Sequence, residues 1–215
     1  MSLHPLTTVA GRLRIEGERE QPRLERPAFF VLRPAGRALI RGERTSAGVR
    51  EEGPFTIAAV VPDDYWLSWF VPPGYYVKEA TVGGADVTRT PFRSGGPAGA
   101  EFEVLLGRDP ATLSVEALDG ERPATGAVVV VWRDPPTFPA GPGDVTLAEA
   151  DDGGRAAVAG LPPGKYRVFA HLDLWNDEEA QTREFLAAHR AAGESVELRP
   201  GETKTVRVPV AGSGR

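Results

Sequence analysis

Apolar and polar residues alternate along most of this chain. In Thr8-Val9-Ala10-Gly11-Arg12-Leu13-Arg14-Ile15-Glu16, Val9, Leu13 and Ile15 fall on one face and the arginines on the other. Phe102, Val104 and Leu106 share a face near the middle of the chain, and Val206, Val208 and Val210 share one near its end. A period of two marks a strand with one face on a core and one in water. Glycine and proline clusters divide these segments at the spacing of a β-sandwich. Ala127-Val128-Val129-Val130-Val131-Trp132 is apolar throughout and reads as a buried central strand. Pro209 fits an edge strand or a strand end, where no amide donor is needed.

The stretch from Gly154 to Ala170 reads as strand, tight turn, strand. Its pattern also occurs 101 positions earlier without a gap. Gly53 aligns with Gly154, Phe55 with Ala156, Ile57 with Val158 and Val60 with Leu161. Pro62 aligns with Pro163, Tyr65 with Tyr166 and Leu67 with Val168. A repeat of domain length predicts two similar small domains in tandem. The expected fold is all-β: two tandem antiparallel β-sandwiches of prealbumin or immunoglobulin type, over residues 5–108 and 109–212. The segments ending at Leu106 and Val210 are the last strand of each.

One segment breaks the β pattern. Asp177 to Arg190 has high helix propensity throughout. Asn176 is its expected N-cap, with Glu179 completing a capping box, and Gly193 its expected stop. The second domain is therefore expected to carry one helical insertion, over about 177–190.

At Leu161-Pro162-Pro163-Gly164-Lys165-Tyr166-Arg167-Val168 the chain resembles the carboxypeptidase regulatory-like domains. These are transthyretin-like sandwiches akin to Cna-B and starch-binding-type domains. Asp151-Asp152-Gly153-Gly154-Arg155-Ala156 fills the preceding turn, with Ala156 in place of the usual aromatic. In the first domain Val61-Pro62-Asp63-Asp64-Tyr65 stands for the turn. The resemblance implies a non-catalytic accessory module of an exported bacterial protein, periplasmic or extracellular. Met1-Ser2-Leu3-His4-Pro5 has neither a basic nor an apolar leader region, so the signal is expected outside this chain.

Composition removes several alternatives. There is no cysteine, hence no disulfide, zinc-thiolate site or cysteine nucleophile. A net charge of −5 argues against a nucleic-acid partner, which requires clustered cations. No apolar run is long enough for a membrane span. The crosslink of Cna-B-type domains joins Lys and Asn. Asn176 is the sole asparagine, and none of Lys78, Lys165 and Lys204 lies in a first strand. No cofactor or metal is expected.

The candidate ligand-binding residues are aromatic. Tyr65, Trp66, Trp69, Phe70, Tyr75 and Tyr76 crowd one segment. A strand turns alternate residues inward, so part of this set is core. Tyr65 aligns with Tyr166 and is assigned inward with Leu67 and Trp69. Trp66 and Phe70 are then expected outside, with Tyr75 and Tyr76 on the following loop. Exposed rings of this kind stack on sugar faces or anchor protein partners. The expected partner is thus an unknown protein, with a polysaccharide as the alternative. Asp144, Asp151 and Asp152 offer oxygen ligands but lack the spacing of a calcium loop, and Asp-Asp-Gly-Gly is a turn sequence without metal. His171, Asp173 and His189 form the one histidine–carboxylate combination; no nucleophile-elbow or zinc-protease motif accompanies it. An enzyme is not expected. Phe138, in the Pro-rich segment from Asp134 to Gly143, is read as part of a variable surface loop, with partner docking as the alternative.

Overall fold

The structure, a computed structural model, describes residues 6–17, 23–36, 38, 45–95, 101–138, 140–141, 143–172, 174 and 177–211. Asp173 and Asn176 lie outside the described residues, as do the expected domain ends Pro5 and Gly212. The chain divides into two compact units, Met1–Arg108 and Asp109–Arg215. Each is a β-sandwich around its own apolar core.

In the first unit, β1 (Thr7–Ile15), β4 (Gly53–Val60), β6 (Tyr75–Val82), β7 (Ala85–Asp86) and β9 (Phe102–Arg108) make one sheet, in the order β4-β1-β9-β6-β7. The facing sheet runs β3-β2-β5-β8, from β3 (Ser46–Glu51), β2 (Arg23–Pro34), β5 (Asp64–Phe70) and β8 (Phe92–Arg93). Pairing is antiparallel except between the first and last strands, β1 and β9, which run parallel.

The second unit repeats this plan with one difference: its two layers join into one eight-stranded sheet through a short parallel pairing of Ala170 with Val210 and His171 with Ala211. Strands β10 (Ala111–Asp119), β14 (Arg155–Leu161) and β17 (Thr203–Ala211) correspond to β1, β4 and β9, and β10 again pairs β17 in parallel. The short β11 (Arg122–Pro123) flanks β10. The other layer, β13-β12-β15-β16, consists of β13 (Val145–Glu149), β12 (Val128–Asp134), β15 (Gly164–His171) and β16 (Glu194–Leu198). The aligned tyrosines do the same work in both units. Each is buried, and each hydroxyl donates to the carbonyl oxygen four residues back: Tyr65 to Val61 at 2.9 Å and Tyr166 to Pro162. This bond ties the strand start to the turn that enters it. The missing aromatic at Ala156 is compensated across the ladder. Phe55 faces Gly11, whose absent side chain leaves room for the ring, whereas Ala156 faces Val115. Large and small have exchanged strands at one core position, which keeps the packed volume.

The insertion differs from the expected single helix. It forms α1 (Asp177–Ala180) and α2 (Arg183–His189), broken at Gln181-Thr182. The Thr182 hydroxyl accepts from the Phe185 amide at 3.1 Å and donates to the Glu179 carbonyl at 2.8 Å. A threonine that caps a new helix competes with continuation of the old one. Gly193 does not end the helix by a left-handed turn. A Cβ there would lie 2.4 Å from the Phe169 ring, so glycine is required by close approach.

The helices cover the outer face of β12 and β15. Val130, Trp132, Phe169, Ala180, Phe185 and Leu186 form a second buried cluster on that side. The apolar run into Trp132 is thereby buried on both faces, which explains its missing alternation.

Two predictions follow from these contacts. Tyr65→Phe and Tyr166→Phe should each lower the stability of their own unit by about 1 kcal/mol, the usual worth of one such bond. Urea unfolding of each variant checks this, and a loss in one unit only would break the equivalence. Gly193→Ala should weaken helix docking by about 1–3 kcal/mol, because an added methyl meets a packed ring. Amide exchange confined to α1 and α2 would report it, with the β10–β17 ladder left protected.

Candidate functional site

The candidate site is the outer face of β2 and β5. Alternation sends Tyr65 and Leu67 into the core and turns Trp66, Ser68 and Phe70 outward. On β2, Phe30 and Leu32 point inward and Phe29, Val31 and Arg33 outward. The antiparallel register pairs Phe29 with Phe70, Val31 with Ser68 and Arg33 with Trp66. Phe70 is 62% exposed and Phe29 44% exposed, and both belong to one cross-strand pair. The Phe29 ring also lies against Gly48 on β3, where a Cβ would stand 3.0 Å from it.

Polar groups border this apolar pair unevenly. Arg33 and Arg50 are exposed and make no ion pair among the described residues. Arg93 is neutralised by Asp64 at 3.4 Å. Ser68, opposite Val31 on the same face, is buried, and its hydroxyl has no hydrogen-bond partner among the described residues. Titration is perturbed elsewhere. A bond from Arg207 holds the Glu116 carboxyl below its ordinary range, and a bond to Glu16 raises the Lys78 ammonium.

The predicted residues separate into three situations. Phe70 is exposed as expected, and Trp66 is half-buried on the same face, opposite Arg33. Tyr75 is half-buried at the start of β6, with the Arg108 guanidinium 5.5 Å from its ring centre. It lines a separate cleft of about 410 Å³ with Arg23, Glu25, Arg26, Pro72 and Pro73. Tyr76 is not on an exposed loop. It is buried on β6, on the face opposite core-facing Val77, because its ring lies down over Gly107 of β9, whose absent side chain leaves room for it. Phe29 escaped sequence reasoning, although a signal was present: adjacent phenylalanines on one strand must face opposite sides.

The remaining candidates serve the fold. Asp144 is buried and accepts hydrogen bonds from the Thr137 hydroxyl and the Gly141 amide. Asp151 accepts from the amides of Gly153 and Arg155, both at 2.9 Å, closing the turn. The Asp152 carbonyl accepts from Thr125. His171 and His189 meet with ring centres 5.4 Å apart, and His189 stacks on Phe185 at 4.2 Å. Among the described residues no group of three or more His, Asp or Glu is placed to hold a metal. Phe138 packs inward on Trp132 at 5.6 Å, under the Arg183 guanidinium, so it is no free anchor.

No protein-family model matches the chain, and no curated protein matches it. Solved structures are similar to it. The Bacillus anthracis TIE protein is 15% identical, with a TM-score of 0.32, over 94% of this chain and 34% of that one. The chain thus spans about a third of that protein's length. The shaft pilin spaA from Lactobacillus rhamnosus GG is 11% identical at a TM-score of 0.34, over 96% of this chain and 98% of that one. BcpA, the major pilin subunit of Bacillus cereus, is 10% identical at a TM-score of 0.36, over 94% and 70%. At this distance function is read from the geometry alone.

Ser68 gives a direct test of the face. Ser68→Ala removes an unpaired buried hydroxyl and should raise stability by about 1 kcal/mol. A rise in the urea midpoint at unchanged slope checks it, and a fall would mean that the hydroxyl has a partner.

Proposed function

We propose that this chain is a non-catalytic interaction module whose working surface is the outer face of β2 and β5. One observation carries the reading. The equivalent face of the second domain is sealed by a helix pair, while here Phe29 and Phe70 stand in solvent with no described element over them. Paired exposed aromatics are a costly surface for a free module and a common anchor in a complex. The non-catalytic part is supported by what the polar side chains do. Asp86, Asp144 and Asp151 all spend their carboxylates on turns and loops. A carboxypeptidase regulatory-like character is supported by the Leu-Pro-Pro-Gly turn and its buried tyrosine. Export to the periplasm or cell exterior belongs to the same proposal and rests on that resemblance. No helix among the described residues is long and apolar enough to cross a membrane.

Carbohydrate binding is the second reading, favoured by the Tyr75 cleft. It combines one aromatic ring and two prolines with the hydrogen-bonding groups of Arg23, Glu25 and Arg26. Two arms of one experiment separate the readings. A photo-crosslinking phenylalanine analogue at position 70 should capture a protein in the producing cell, and one at exposed Arg122 should not. Tryptophan fluorescence under a panel of soluble polysaccharides should stay flat. A saturable change abolished by Tyr75→Ala would put the sugar reading first, and silence at position 70 would sink the interaction reading.

A further inference from the structure

The two domains can be compared residue by residue through their strand registers. Phe70 pairs with Phe29, and its repeat equivalent His171 pairs with Val128. The two registers then equate Phe29 with Val128, Val31 with Val130 and Arg33 with Trp132 on the outer face. On the neighbouring strand Trp66 matches Arg167, Ser68 matches Phe169 and Phe70 matches His171.

In the second domain each member of this set engages the helical segment. Phe169 meets the Phe185 ring edge-on at 6.3 Å, and His171 lies 5.4 Å from His189. Arg167 donates to the carbonyls of Arg190 and Gly193, both at 3.2 Å, and holds the end of the segment. Val130 and Trp132 are fully buried beneath it. In the first domain the chain between β5 and β8 is used otherwise. It becomes β6 and β7, which extend the opposite sheet. The outer face keeps its apolar stripe with no described segment over it. Where the second domain has Phe169, the first has the small Ser68 opposite Val31, next along the face from the Phe29–Phe70 pair, and its buried hydroxyl has no partner among the described residues.

We infer that this face is the docking site for an acidic amphipathic helix contributed by a partner protein. This rests on the interaction-module reading of the same face. The shape follows from the equivalence: the same strand pair, at the same registers, already seats a helical segment through aromatic and aliphatic side chains in the second domain. The sign follows from charge. Arg33 and Arg50 border the stripe without ion-pair partners among the described residues, in a chain whose net charge is −5. Carboxylates beside the helix's apolar residues would complete them. A second copy is a poor occupant, because a symmetric contact would bring these cationic borders together. A sugar is a poor one too, because neutral polar groups do not converge on the stripe.

The test uses the full chain and three fluorescent synthetic peptides read by anisotropy. The first has the sequence of residues 177–193 of this chain, which combines Asp177, Glu178, Glu179 and Glu184 with Phe185 and Leu186. The second carries lysine at those four acidic positions. The third carries serine in place of Phe185 and Leu186. The acidic peptide should bind about tenfold or more tightly than either control, and weaken as salt rises. Phe29→Ser with Phe70→Ser should abolish binding. Because that variant leaves the second domain intact, it also separates docking here from exchange with the resident helices. Arg33→Glu with Arg50→Glu should reverse the preference in favour of the lysine peptide. The inference is overturned if no peptide binds, if binding survives the paired Phe→Ser change, or if the charge reversal leaves the preference unchanged. Sedimentation with phosphatidylglycerol vesicles forms the last arm. If vesicles bind through Phe29 and Phe70 and the peptides do not, the helix assignment fails. A crosslinked protein at position 70 would still leave the interaction reading standing.

Discussion

A β-strand has two faces, and a two-layer sandwich can bury only one of each strand's. Everything distinctive about this chain comes from the treatment of the second face. Both domains build the same inner core from alternate residues of equivalent strands. Both put apolar side chains on the outer face of one sheet as well. In one domain a helical segment dries those residues, and Trp132 and Phe169 become as buried as the inner core. In the other the rings of Phe29 and Phe70 remain in solvent.

The repeat shows how a fold persists while its parts exchange. The buried tyrosine and its backbone bond are retained, since the turn before β5 and β15 needs an internal acceptor's partner in both domains. The aromatic beside it in the family pattern is not retained as a residue but as a volume. Gly11 and Phe55 in one ladder do what Val115 and Ala156 do in the other. A bulge is kept too: Ala59 and Gly160 occupy aligned positions with φ of 60° and 79°. Positive φ is easy for glycine and unfavourable for alanine, so the register shift at that point is a shared requirement.

Much of the fold was legible in the residues. Alternation placed Val9, Leu13, Ile15, Phe102 and Val104 in the core, and the repeat implied two similar units. Propensity found the helical insertion but not its break, because the hydroxyl of Thr182 has a choice between an ongoing helix and a new cap. The site was half legible. Phe70 was found because alternation opposes it to Leu67. Tyr76 was misplaced because its burial comes from Gly107 on the neighbouring strand, a cross-strand partner that the local pattern around Tyr76 does not reveal.

What the sequence determined by itself is the local side of every strand. Successive side chains point to opposite faces whatever the surroundings, so Phe29 and Phe70 had to lie opposite Phe30 and Leu67. Only the tertiary structure decided whether an outward apolar residue is covered. That depends on a segment brought from elsewhere in the chain, whose path is set by packing and not by any local preference. Val130 and Val31 occupy equivalent places on equivalent strands. One is sealed under Phe185 and Leu186, and the other borders an open face, because the chain after β15 turns back as helices while the chain after β5 joins the far sheet.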